Sequence, residues 1–200
     1  MSRFHNTELT DWLRGPRDLK ILNGMTWLLP PEILLLTFGT EFSDPAINGD
    51  LDFQLRKVML SRPIFRGISP SLSEFNAVLK DDVKENVQLF KKTVRPIMAN
   101  SRVYHHTPFA LALDPAPWVV LEYATQDEPK AVASFFRTDV AVDPLFEFIP
   151  RGLDPARTYK VTFRNRKHTV DIAGAQLMLQ GLPIRLEGNM ISEMVLFQAK

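Results

Sequence analysis

The 200-residue sequence has no cysteine, which excludes disulfides and thiol chemistry and fits a reducing, cytoplasmic setting. It has little net charge. Its 24 Lys+Arg against 23 Asp+Glu leave +1, no electrostatic case for nucleic acid or an anionic membrane. It has no long apolar run either. The longest, Met25 to Phe38, is broken by Pro30, Pro31 and Glu32 and is too short to span a bilayer. The start, Met1-Ser-Arg-Phe-His-Asn-Thr-Glu8, shows no apolar signal core. There is no P-loop, dinucleotide fingerprint, Cys/His metal cluster or Gly-x-Ser-x-Gly elbow, and no internal repeat. These absences point to a soluble protein without metal or cofactor. What is present is ordinary globular composition, 45% hydrophobic and 24% charged, and enough chain for one large domain or two small ones.

Up to about residue 100 the patterns are helical. Ser71-Leu-Ser-Glu74 has capping-box spacing, and behind it Phe75, Val78, Leu79, Val83, Val87, Phe90 and Val94 form one apolar stripe. Asp81, Asp82, Lys84, Glu85 and Gln88 fall on the other face, and Pro96 is expected to end the helix. A shorter helix is expected over Glu32 to Phe38, entered through Pro30-Pro31 and stopped by Gly39, and a third over Leu51 to Ser61. Pro63 to Ile68 reads as a buried strand, and Leu19 to Met25 as a weaker one. Strands alternating with amphipathic helices imply parallel βα units. Two such units cannot close a sheet, so two architectures stay open: the end of a larger barrel, or a small helical subdomain leaning on the second half of the chain.

From residue 102 onward the pattern is β. Short runs rich in Val, Ile, Phe, Tyr and Thr cover 118–124, 130–137, 145–149, 159–164, 169–172, 183–187 and 192–198, separated by turn residues. Seven such runs predict an antiparallel sandwich, with one helical turn at Ala175 to Gln180.

Several tokens in this half carry a resemblance: Arg151-Gly-Leu-Asp-Pro155, Tyr159-Lys-Val161, Gly174 with Leu177-Met178, Gly181-Leu182, and Ser192-Glu-Met-Val-Leu196. In order and spacing they resemble the carboxy-terminal part of melibiase-type α-galactosidases, glycoside hydrolases of family 36. Ile64 to Pro70 and Glu85 to Lys92 are similar to that family's last barrel strand and final barrel helix. The resemblance implies an α+β chain: residues 1–101 as the last βα units of a catalytic (β/α)₈ barrel, and 102–200 as an antiparallel β-sandwich domain. It implies a retaining mechanism on α-galactoside oligosaccharides, in which one carboxylate attacks and the other serves as acid and then base. No position here matches either of the family's catalytic aspartates, so no catalytic residue is assigned. A homo-oligomer is left open. The rival reading is a stand-alone carbohydrate-binding or interaction module.

Trp27 and Arg66 are the expected substrate contacts. On the barrel reading both lie near strand ends, where indole can stack on sugar and guanidinium can bond hydroxyls. The competing roles are core for Trp27 and an interdomain ion pair for Arg66. Glu32, Glu41, Asp44, Asp50 and Asp52 read first as caps and turns. Tyr104-His105-His106 holds the one histidine pair. On an extended segment the two rings point to opposite sides, which suits a hydrogen-bonded junction better than a metal site.

Overall fold

The computed structural model describes residues 7–8, 16–39, 49–66, 77–111, 114–127 and 129–200. Within the first part, a two-residue strand β1 (Thr7–Glu8) precedes helix α1 (Pro16–Met25). A 3₁₀ turn (Pro31–Ile33) leads into β2 (Leu34–Gly39); helix α2 (Leu51–Met59) and β3 (Arg62–Arg66) follow. The three strands form a parallel sheet in the order β1-β2-β3. Helix α3 (Ala77–Leu89) continues through a π turn (Phe90–Val94) into α4 (Arg95–Met98).

Three expectations need correcting. Leu19 to Met25 is helix, not strand: Leu19 and Leu22 are fully buried at helical spacing, and Pro16 stands at the first helical position. Glu32 to Phe38 is not a helix. After the 3₁₀ turn, Leu34, Leu36 and Phe38 alternate into the core while β3 pairs alongside, so a six-residue run is satisfied as a strand. Pro96 does not end its helix. The Arg95 amide bonds back to Phe90, a five-residue step, and this widened turn falls where proline has no N–H to give. The helix then resumes, with Ala99 N–H bonding to Arg95 O at 3.1 Å. The Ser71–Glu74 box, Phe75, Glu41 and Asp44 lie outside the described residues.

The helix over Leu51 and the strand from Pro63 form as expected. Asp50 caps α2, its Oδ1 accepting from the Phe53 amide at 2.7 Å. On α3, Val83 is buried while Asp81, Asp82, Lys84 and Glu85 are exposed, the two faces the pattern assigned.

The second part is dominated by a six-stranded antiparallel sheet. Its strands are β4 (Ser101–His105), β5 (Trp118–Thr125), β6 (Lys130–Arg137), β8 (Thr158–Phe163), β9 (His168–Ala173) and β11 (Ile191–Ala199). They lie in the order β4-β5-β6-β11-β8-β9. Strands β7 (Leu145–Phe148) and β10 (Leu182–Arg185) form a separate antiparallel pair, and α5 (Gly174–Gln180) connects β9 to β10. All seven expected strands are present; β4 is an additional one.

Both faces of the large sheet are covered. Val119, Leu121, Tyr123, Val132, Phe136 and Met194 pack with Leu22, Leu34, Phe53, Val58 and Val94 of the helical layer. On the other face Val120, Phe135, Val161, Val195 and Phe197 pack with Phe148, Leu177 and Ile184 of the β7–β10 layer. Two-sided burial explains why β5 and β6 read as nearly unbroken apolar runs. No helix among the described residues is long and apolar enough to cross a membrane.

Within the helical layer, Asp18 of α1 meets Lys57 of α2 at 2.6 Å, both side chains almost wholly buried. Burial outweighs the lysine's attraction and pushes the Asp18 carboxyl above its ordinary value. For the Asp18 carboxylate, burial thus weighs more than the attraction of its partner. Asp18→Ala alone strands Lys57 and should cost about 3–5 kcal/mol. The double replacement Asp18→Leu/Lys57→Met should match or exceed the parent in urea denaturation.

Candidate functional site

The tokens at 151–182 converge on a lock between a turn and the large sheet. Glu122 is fully buried in β5 on the face toward β7 and β10. Its Oε2 accepts from the Arg151 amide and its Oε1 from the Gly152 amide, both at 2.9 Å. His106 Nε2 donates to the same Oε2 at 2.8 Å, its ring tilted against Phe148. Arg151 Nη1 donates to the His105 carbonyl at 3.2 Å. Only glycine fits at 152: an added Cβ would stand 2.2 Å from the Ala124 Cβ.

The rest of the motif continues the lock. The Asp154 amide donates to Tyr159 Oη at 2.8 Å. A Cβ at Gly174 would meet the Asp154 carbonyl at 2.2 Å, and the Gly174 amide bonds Arg157 O at 2.7 Å. Leu177 is fully buried, and Gly181 closes α5 at φ +74°. These residues hold backbone in place.

The histidine pair divides as expected. His106 serves Glu122. His105 turns to the helical layer, where its Nε2 lies 2.9 Å from Thr26 Oγ1 and its ring stacks on Trp27 at 4.1 Å between centroids. Burial first, with a smaller push from the nearby His106, lowers His105 to about 4, against a partial offset from a hydrogen bond with the Asn23 backbone.

Trp27 is 61% exposed, so it is not core. It lies in the turn that leads to the first residue of β2, whereas Arg66 pairs with Gly39, the last. The two stand at opposite ends of that strand and are not brought together. The acids are dispersed among structural tasks. Asp50 caps α2, and burial first, then Asp52, raises its carboxyl. Asp52 pairs with Arg56 at 2.9 Å, and Arg56 donates to the Ser192 carbonyl at 2.8 Å. Glu32 is exposed at the rim of a groove of about 600 Å³ between β3, α2 and α3. Among the described residues no three His, Asp or Glu side chains cluster as a metal site. The buried carboxylates Glu122 and Glu193 are occupied by backbone amides; burial is the main cause raising Glu193.

Residues 118–197 match the model of the glycosyl hydrolase family 36 C-terminal domain. Solved structures agree over nearly the whole chain. The family 36 α-galactosidase AgaA from Geobacillus stearothermophilus superposes with a TM-score of 0.75 at 17% identity, covering 96% of this chain and 25% of its own. A variant of that enzyme in complex with raffinose gives 0.70 at 17% identity, covering 91% and 24%. The α-galactosidase from Lactobacillus brevis gives 0.71 at 16% identity, covering 92% and 25%. The chain thus spans about a quarter of the length of these relatives, and at such identity the likeness establishes the fold alone. No curated protein matches the sequence significantly. The family 36 match covers β5 to β11, the segment that holds Glu122 and the Arg151–Leu182 lock.

Sequence reasoning missed Glu122, although a lone acid inside Trp-Val-Val-Leu-Glu-Tyr-Ala was signal enough: a buried carboxylate must have donors. Glu122→Ala leaves the partly buried amides of Arg151 and Gly152 without their acceptor and should cost about 2–3 kcal/mol. Gly152→Ala should be comparably destabilising, with partial rescue by Ala124→Gly, read from urea midpoints. For His105 the folded value lies below the unfolded one. Stability should fall as pH drops from about 6.5 toward 4, because only the unfolded chain takes up that proton. His105→Gln should flatten this slope in denaturation curves across the same range.

Proposed function

We propose that this chain is the C-terminal portion of an α-galactosidase-like retaining glycoside hydrolase that cleaves terminal α-linked galactosides. Residues 1–101 form the last βα units of its (β/α)₈ barrel, and 102–200 form the β-sandwich domain that covers the barrel's flank. The observation that carries this reading is the open side of β3. Among the described residues β3 pairs only with β2, and the groove beside it is floored by Leu55, Met59, Phe65, Val87 and Phe90. A parallel strand is normally buried on both sides, so an apolar-floored groove along its edge suits further strands and helices of the same sheet.

The two carboxylates of the retaining mechanism belong to that remainder. About 5–5.5 Å apart, one attacks the anomeric carbon while the other protonates the departing oxygen and later activates water. From this chain, Arg66 is a proposed contact to sugar hydroxyls; its support is its position as the last residue of β3, since active-site loops of such barrels gather at the C-terminal strand ends. Trp27, its ring leaning on His105, belongs to the seam between the two parts. Raffinose and stachyose, bound in variants of the G. stearothermophilus enzyme, indicate the substrate class. The enzyme is assigned to the cytoplasm, and the open edge of β3 supports self-association of the isolated chain.

The chain alone should show no turnover of a nitrophenyl α-galactoside and should self-associate on gel filtration. Co-expression with a polypeptide supplying the remaining barrel and both carboxylates should restore activity, and Arg66→Ala in that complex should lower it at least tenfold. Turnover by the chain alone, abolished by Glu32→Ala or Asp52→Ala, would overturn the proposal. Calorimetric binding of galactose or melibiose by a monodisperse, inactive chain would favour the binding-module reading instead.

A further inference from the structure

Alternation along β2 and β3 gives their parallel sheet two different faces. Leu34, Leu36 and Phe38 of β2 enter the core shared with the helices, and Phe65 of β3 packs beside Phe38 at 5.7 Å between ring centroids. Leu35 and Thr37 alternate to the other face, where Thr37 is in register with Ile64 of β3. Leu35 and Ile64 are partly buried, yet they belong to neither of the two cores that the described residues form. On the barrel reading proposed above, on which this inference rests, that second face is the inside of the barrel.

Thr37 stands out on it. Its side chain is only 3% exposed, and its hydroxyl has no hydrogen-bond partner. A buried hydroxyl left unpaired is destabilising, whereas valine has the same branched shape and no such penalty. Once the sheet closes, its backbone groups pair with one another, which leaves a side chain as the missing partner. The position narrows the choice further. Gly39, the last residue of β2, lies two residues on and so on the same face, and it has no side chain. Thr37 is therefore the polar side chain of β2 nearest the C-terminal strand ends on that face, where active sites of such barrels are built.

We propose that Thr37 is a positioning residue of the glycosidase site, its hydroxyl donating to one of the two carboxylates that the rest of the barrel supplies. An ionised carboxylate only accepts and needs donors to hold it, and a hydroxyl rotor turns its proton to suit. Such a bond fixes the acid's orientation and favours its charged form.

The chain alone gives the first test. Thr37→Val should leave its urea midpoint unchanged or higher, because the hydroxyl gives up no bond there. In the enzyme reconstituted with the remaining barrel, Thr37→Val should lower kcat at least about tenfold with KM nearly unchanged. One limb of the pH profile of kcat/KM should also move upward by about half a unit or more, since a carboxylate deprived of a donor takes up its proton more readily. Thr37→Ser should restore most of both effects. A lowered urea midpoint in the isolated chain would reveal a partner within it and overturn the proposal. So would reconstituted activity indifferent to Thr37→Val, or a loss equal at every pH that serine does not repair. These outcomes leave the glycosidase reading standing, whereas failure to reconstitute any activity removes that reading and this inference with it.

Discussion

Burial of the six-stranded sheet on both faces is the constraint on which the rest of this structure depends. Val119, Leu121 and Tyr123 of β5 point to the helices, while Val120 and Ala124 point to the β7–β10 layer. Each of the larger of these, Val or Leu, returned to water would cost about 1.5–3 kcal/mol. Neither covering layer is therefore dispensable, and the packing is continuous across residue 100. Such a sheet tolerates few polar groups, and long side chains within it are tied to backbone. Tyr123 Oη donates to the Leu60 carbonyl at 2.6 Å, and Arg137 donates to four backbone carbonyls, of Val140, Val142, Leu186 and Gly188.

Similar tethers also set the register between the parts. Lys20 Nζ donates to the Asp114 carbonyl at 2.6 Å, Asn23 Nδ2 to the Pro108 carbonyl at 3.3 Å, and Arg56 to Ser192. Each joins a helix of the first part to a carbonyl of the second. Apolar packing is non-directional, so it cannot by itself choose one sliding position of helix over sheet. Side chains that find a particular carbonyl can. Gly49, at φ +82°, lets the loop before α2 press against the Met190 carbonyl, where a Cβ would come within 2.7 Å.

How much of this is readable from sequence differs between the halves for a physical reason. The strands from Trp118 to Gln198 alternate with turn residues at short intervals, and those turns need particular residues. Gly152, Gly174 and Gly181 are demanded by close backbone approach or positive φ, so their spacing survives as text. The helical layer has no such punctuation. Leu19–Met25 and Leu34–Phe38 are both short apolar runs, and a run of that length fits a buried helix turn as well as a buried strand. What decides between them is the partner: β3 alongside Leu34–Gly39, and Lys57 facing Asp18. Pro96 misleads because proline ends most helices, and only a widened turn upstream lets one pass.

The candidate site is legible to an even more uneven degree, and for the same reason. The most recognisable positions between Arg151 and Leu182 include Gly152, Gly174 and Gly181, where close approach or positive φ demands glycine, and the contacts described there hold backbone in place. Glu122 shows the distinction. Fully buried, it spends about three of its four acceptor sites on Arg151, Gly152 and His106, which is the work of holding backbone and a neighbouring ring in place.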